Sequence, residues 1–448
     1  MEADVADFGA VGDGVTKDTG SIQAAIDACH DAHGGTVVVR DGVFVVGTLR
    51  LRSNVTIRVD APARILGSPD IADYATDTHH QRYRNESALD RCLIYAEDAD
   101  SIGLTGTGVI DGNAVAFPND GDPYRPMMIR TLRCANIRLS GLRLLEAAAW
   151  TTAFLDSEYI WVDGVHIHNE TRYNGDGLDF DGSRHIWVSN CRISGTDDNL
   201  CLQSSSRERP VENVHITNCE FRSLCAGIRI GLKSIGNIRD VVISNCTMRD
   251  VWREGIKIES TEGGTIENVS VTNVVMRNVR RPIFLILNNR FEPDDLGSSL
   301  ELTETPAIGR LRHVVFSSVT AIDDAIMREP QIRLGNDVMG SPRFNGIRID
   351  AEADHPIEGV TLRDVSYTSV GGVRLADIPQ EYPVVVDRLV DREGPTSSNY
   401  YPDWSRAAFL DARNVRGLVL DNLVFDSIEP DERPARLIDG ISAVPFEV

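Results

Sequence analysis

His185-Ile186-Trp187-Val188-Ser189-Asn190-Cys191 decides the fold, because its first four residues recur in variant form along most of the chain. The same pattern stands at Asn136-Ile137-Arg138-Leu139, Tyr159-Ile160-Trp161-Val162, Asn213-Val214-His215-Ile216, Asp240-Val241-Val242-Ile243 and Asn268-Val269-Ser270-Val271. It continues at His313-Val314-Val315-Phe316, Gly359-Val360-Thr361-Leu362 and Gly417-Leu418-Val419-Leu420. Successive starts are 23, 26, 28, 27, 28, 45, 46 and 58 residues apart. Alternating β-branched residues at a fixed period of one coil mean parallel strands, each side chain stacking on its equivalent one turn away. The fold class is therefore all-β, a right-handed parallel β-helix, and residues 1–448 are expected to form one such domain.

Most quartets are followed by a polar pair and a second short strand. Ser189-Asn190-Cys191, Thr217-Asn218-Cys219 and Ser244-Asn245-Cys246 repeat one pattern, so these thiols should stack in the core of successive coils. Eight cysteines used this way fit a reducing compartment rather than a disulfide framework. The N-terminus, Met1 to Ala10, shows no basic, apolar and small-residue succession of a secretory leader. A cytoplasmic location is the expectation, a secreted and processed form being the alternative.

The open end of a solenoid exposes strand edges that must be covered. Ser21 to His33 places Ile22, Ala25, Ile26 and Cys29 on one helical face and stops at Gly34-Gly35, as a capping helix would. Thr36 to Arg40 and Val43 to Leu51 read as the first strands. Insertions are expected at about 70–91, 113–126, 288–307, 324–356 and 371–413. The last contains Asn399-Tyr400-Tyr401-Pro402-Asp403-Trp404, an aromatic cluster that either stacks on a sugar face or packs on its own scaffold.

Hydrophobic residues make up 42% and charged residues 25%, with no apolar run of the length a membrane span needs. A formal charge of -22 without a basic stripe argues against nucleic acid as partner. The same charge repels polyanionic sugars, so a uronate polymer would be held only by local cations.

Two carboxylate motifs stand at coil spacing: Asn174-Gly175-Asp176-Gly177-Leu178-Asp179, and Gly195-Thr196-Asp197-Asp198-Asn199. Asp-Gly and Asp-Asp are common turn residues singly. Asp176 and Asp197, 21 residues apart, would instead fall on adjacent turns with Asp198 beside them. Glycosidic cleavage requires such a grouping, one carboxyl to protonate the leaving oxygen and another to activate water or attack carbon. Crowding keeps one carboxyl protonated near neutrality.

These motifs resemble those of glycoside hydrolase family 28, the polygalacturonases and their relatives. The opening Asp7-Phe8-Gly9-Ala10-Val11-Gly12-Asp13-Gly14 looks like the start of pectinase-type β-helices, and Ile110-Asp111-Gly112, Arg125-Pro126 and Trp150 are similar to that family's residues. The resemblance runs from about Asp7 to Asn288. It implies an inverting hydrolase of pectin-type carbohydrate with Asp197 as general acid and Asp176 and Asp198 positioning and deprotonating water. It calls for no cofactor and no metal, and for an oligosaccharide or polysaccharide as partner. Substrate contacts are expected from Asn174, Asp179, Gln203, Arg229, Lys257 and Glu259.

The chain departs from the family pattern where substrate cations are expected. Leu200-Cys201-Leu202-Gln203, Ile228-Arg229-Ile230-Gly231 and Ile256-Lys257-Ile258-Glu259 align as three coils facing one cleft. The pattern would place lysine at Gln203, histidine at Ala226 within Cys225-Ala226-Gly227, and an Arg-x-Lys pair at Lys257 and Glu259. Glu259 in place of a cation disfavours a uronate, so a neutral or differently linked sugar is the expectation. Arg229 and Lys257 either form a cationic pair or salt-bridge to Asp179 or Glu259.

Two other readings stand beside hydrolysis. A polysaccharide lyase would hold Ca²⁺ with Asp176, Asp179, Asp181, Asp197, Asp198 and Glu259 and use Lys257 or Arg229 as base. A non-catalytic sugar-binding solenoid would explain the missing cations. Long insertions closing one end of a cleft further imply exo action on oligosaccharides.

Overall fold

The computed structural model describes residues 1–78, 90–119, 125–289, 299–324, 346–374 and 408–441, with Leu296 and Ala376. The chain is a right-handed parallel β-helix, built from strands whose neighbours are parallel. It divides into two compact units, Met1–Asp197 with Glu212–Cys219, and Asp198–Val211 with Glu220–Val448.

In the first unit the quartets stack as their period requires. Ile137 pairs with Ile160, Ile160 with Ile186 and Ile186 with Val214, all buried. In the second unit Val241, Val269, Val314, Val360 and Leu418 form the corresponding column, Val241 to Val360 being buried. Complete burial of each Val or Ile contributes roughly 1.5–3 kcal/mol.

The first residue of every quartet has left-handed backbone, with φ from 54° at Asn136 to 70° at Gly417. That single residue turns the corner into the strand, which is why Asn, Asp and Gly recur there. Tyr159 and His185 occupy the same corner at a steric cost, offset by stacking of their rings 4.7 Å apart. The asparagine of the polar pair is left-handed too, and its amide bonds along the stack, Asn218 to Asn190 at 3.4 Å and Asn273 to Asn245 at 2.7 Å. All eight cysteines are buried thiols, none of them in a disulfide.

The capping helix spans Thr19–Asp31 and fully buries Ile22, Ala25, Ile26 and Cys29. It covers the adjacent strand chemically as well as sterically: the Gln23 amide donates to the Arg50 carbonyl at 3.1 Å and accepts from the Arg50 N–H at 2.8 Å. The helix ends two residues before the expected position because His33 turns left-handed and Gly34 donates back to the Cys29 carbonyl at 2.9 Å. Gly35 then starts the strand Gly35–Val39. The expected strand 43–51 is two pieces, Val43–Val46 and Leu49–Arg50, parted where the Gly47 N–H turns to the Thr19 hydroxyl at 2.9 Å.

One alignment fails. Cys201 pairs with Arg229 and Leu202 with Ile230, but Ser204 then pairs with Ser234, so Gln203 does not oppose Gly231. Gly231 and Leu232 both take positive φ, 101° and 58°, and bulge the strand Ile228–Ser234 at that point. The next coil is regular, Arg229 opposing Lys257 and Gly231 opposing Glu259. Much of the expected insertions, including the aromatic cluster 399–404, lies outside the described residues. No helix among those described is long and apolar enough to cross a membrane.

Candidate active site

In the first unit two turns are locked together. The turn carrying Asn174, Gly175 and Asp176 precedes the strand Leu178–Asp181, and the turn carrying Thr196 and Asp197 follows the strand Arg192–Gly195. Gly175 donates to the Thr196 hydroxyl at 2.9 Å, and the Asn174 amide reaches an Asp197 carboxylate oxygen at 3.5 Å. Only glycine permits this approach. A Cβ at Gly175 would lie 2.4 Å from both the Asn169 carbonyl oxygen and the Thr196 hydroxyl.

Arg125, itself buried, holds the assembly from behind. It donates to the Asn174 side-chain oxygen at 2.8 Å and to the Ala148 carbonyl at 3.3 Å, and also to the Tyr173 carbonyl. This orients the Asn174 amide so that its nitrogen faces Asp197. Asp176, Asp179 and Asp181 are all buried along the same turn and strand. The Asp176 carbonyl accepts from Thr151 at 3.0 Å, and Asp179 N–H donates to the Thr152 hydroxyl at 3.3 Å, fixing their backbone.

Asp198 begins the second unit, fully buried in a network of charge. One of its oxygens accepts from the Ala226 N–H at 3.1 Å and the other pairs with the Arg229 guanidinium. Burial opposes ionisation of this carboxyl. The positive charges of Arg229 and Lys257 and hydrogen bonds from the Cys225 thiol and Arg229 outweigh it and hold the group below the usual carboxylate range. Asp198 is thus a fixed anion.

Arg229 also lies 3.3 Å from Glu259, and Lys257 lies 2.7 Å from Glu259 and 3.4 Å from Glu254. Glu254 is further held by Arg281 at 3.2 Å and Arg253 at 3.5 Å. Burial presses the Lys257 ammonium down to about 8, with Arg253 and Arg229 adding to the effect and Glu254 opposing it. Of the two expected arrangements for Arg229 and Lys257, the salt bridge to Glu259 is the one formed. Arg229 and Lys257 do oppose each other in register, but each is tied to a carboxylate.

Those ties bear on the calcium reading. Asp198 and Glu259, two of the six proposed ligands, already face guanidinium or ammonium groups at pairing distance. A divalent cation placed on either would meet a cation already in contact. Those two carboxylates are thereby committed to the protein's own cations.

Arg253, Glu254 and Arg281 escaped the sequence reading, since Trp252-Arg253-Glu254-Gly255 has the polar make-up of any surface turn. Their signal is coil spacing: Arg281 lies 27 residues after Glu254 and opposes it in the ladder. Cys225 was marked only as the neighbour of Ala226, where a histidine is missing, and it supplies a thiol to Asp198. Gln203, expected to face substrate, donates to the Cys201 sulfur at 3.1 Å.

The family model for glycosyl hydrolases family 28 matches residues 29–324. An exo-poly-alpha-D-galacturonosidase of Dickeya chrysanthemi is 25% identical over 391 residues, 74% of this chain, and the chain spans 64% of that relative's length. The fold is shared with an exopolygalacturonase from Thermotoga maritima, with 22% identity, a TM-score of 0.67 and coverage of 82% of this chain and 87% of the other. A family 28 exopolygalacturonase of Yersinia enterocolitica gives 19% identity and a TM-score of 0.69, covering 100% of this chain and 78% of the other. With the match extending over more than half its length, the chain belongs to the glycosyl hydrolases family 28.

Proposed function

We propose that the chain hydrolyses a glycosidic bond in an oligosaccharide, releasing terminal units with inversion at the anomeric carbon. The observation that carries this reading is the locking of the Asn174–Asp176 turn onto the Thr196–Asp197 turn through Gly175 and Asn174. Asp197 is the general acid, and Asp176 and Asp198 orient and deprotonate the attacking water. A fixed anion at Asp198 suits the orienting of that water, because a carboxylate held ionised accepts a hydrogen bond from it.

The substrate is proposed to be neutral at the subsite beside Glu259. Arg229 and Lys257 are already paired with Glu259 and Asp198, so a uronate carboxylate entering there would compete with existing partners for them. Removal of terminal galacturonate is the second reading, favoured by the activity named for the Dickeya relative. Paired aryl glycosides of galactose and galacturonic acid, with oligosaccharides of each, separate the two. The expected result is at least tenfold higher kcat/KM on the neutral member and loss of turnover in Asp197→Asn. Preference for the galacturonoside overturns the neutral assignment; unchanged turnover in Asp197→Asn overturns the acid.

A further inference from the structure

Within the second unit, a cavity of about 190 Å³ opens at the ends of the strands Thr265–Leu287, Ile347–Ala351 and Leu410–Arg413. By the measure in which one water needs roughly 10–15 Å³, it has room for a ring rather than a single solvent molecule. Drug-sized sites start at about 300 Å³, so one ring fills it.

Its floor holds a side chain with no use inside the protein. Asn288 is 2% exposed, lines the cavity, and has neither its amide nitrogen nor its amide oxygen hydrogen-bonded. A buried amide left this way is destabilising, and a ligand that pairs with it removes that cost.

Arg413 also lines the cavity, its Nη2 anchored to Asp350 at 2.9 Å while its buried Nε has no acceptor. Asp350 is shared with Arg348 at 2.8 Å, and this double contact fixes the guanidinium of Arg413. Half-buried Glu352 adds an acceptor at the rim, and Ile286, Leu287, Ala351 and Ala353 supply an apolar side. Arg348 and Arg413 balance Asp350 and Glu352, leaving no net charge.

We infer that this cavity is a binding site for a single neutral sugar ring. A pyranose offers C–H faces to the apolar wall and adjacent hydroxyls that both donate and accept, matching the Asn288 amide, the Arg413 Nε–H and the Glu352 carboxylate. Charge balance disfavours a uronate. The strand pairings Leu200 to Ile228, Ile228 to Ile256, Ile256 to Ile283 and Phe284 to Arg348 put the site four coils from the strand that follows Asp198. At about 4.8 Å per coil this is roughly 19 Å along the stack. The site stands on its own contacts and does not require the proposed hydrolysis.

The test is calorimetric titration of the full chain carrying Asp197→Asn, so that nothing is turned over, with methyl α-D-galactopyranoside, methyl α-L-rhamnopyranoside, methyl β-D-xylopyranoside and D-galacturonate. At least one neutral glycoside is expected to bind at millimolar concentration, and Asn288→Leu and Arg413→Met each to weaken it tenfold or more. Arg413 is 22% exposed, so its variant reports even where Asn288→Leu does not fold. Both variants, on the otherwise natural chain, are expected to retain turnover of short aryl glycosides. Absence of binding by every neutral glycoside, binding unmoved by Arg413→Met, or tighter binding of galacturonate overturns the inference.

Discussion

The Lys257 ammonium lies 2.7 Å from a carboxylate oxygen of Glu259, and both side chains are closed off from solvent. Each is therefore compensated from within the protein. Substituting Lys257→Met leaves Glu259 with Arg229 alone and removes one of three cations from Glu254. Breaking a buried pair from one side costs roughly 3–5 kcal/mol. Urea titration is expected to show that loss, with part of it recovered in Lys257→Met, Glu259→Gln, where neither charge is stranded.

Arg229→Met removes from Asp198 both a neighbouring positive charge and a hydrogen bond. The Asp198 carboxyl then rises from its depressed position, and the acid limb of kcat/KM moves to higher pH. On the proposed mechanism, activity falls roughly 10- to 100-fold at mildly acidic pH and recovers as pH rises. A pH–rate profile with an unmoved acid limb would separate Arg229 from Asp198 function.

Gly175→Ala tests the contact between the two carboxylate turns. The added methyl has no room beside Asn169 and Thr196, so the turns must part. Displacement of about 1 Å in a catalytic geometry costs on the order of 100-fold in rate. The expected outcome is that loss in kcat, with a far-ultraviolet spectrum like the parent's because the coils on either side keep their ladders.

Glu254 gives a stability prediction with a definite sign. Burial alone would raise its pKa, but Arg253, Lys257 and Arg281 bring it to about 2, against 4.5 for an ordinary glutamate. A depressed carboxylate contributes stability that is fully present above about 4.5 and is lost as pH falls towards about 2. Stability measured by denaturant titration across that window should fall less steeply in Glu254→Gln than in the parent.

The coils were legible because their signal is local and repeated: most quartets carry their own β-branched alternation and an Asn, Asp or Gly corner tolerant of positive φ. What escaped is where the backbone departs from the repeat. Gln203 was aligned by counting residues, and the left-handed Gly231 and Leu232 shift the register one coil on. The partners of charged residues were harder still. Arg229 was matched with Asp179 or Glu259 from coil spacing, and its contact with Asp198, 31 residues away, needs side-chain reach that no alignment of strands contains. Glu254 was missed for a similar reason, since its three cations come from its own turn, its own strand and the next coil.

The column Val269, Val314, Val360 and Leu418 keeps its register although the quartet starts it follows are 45, 46 and 58 residues apart, against 28 for the coil before. Loop closure explains the tolerance: doubling the length between two pairing strands adds only about 0.6 kcal/mol of entropy cost. Each coil is in effect a socket that accepts segments of different length without retuning its neighbours. Segments grafted at these positions, lengthened or exchanged, would leave the ladder beneath as it stands.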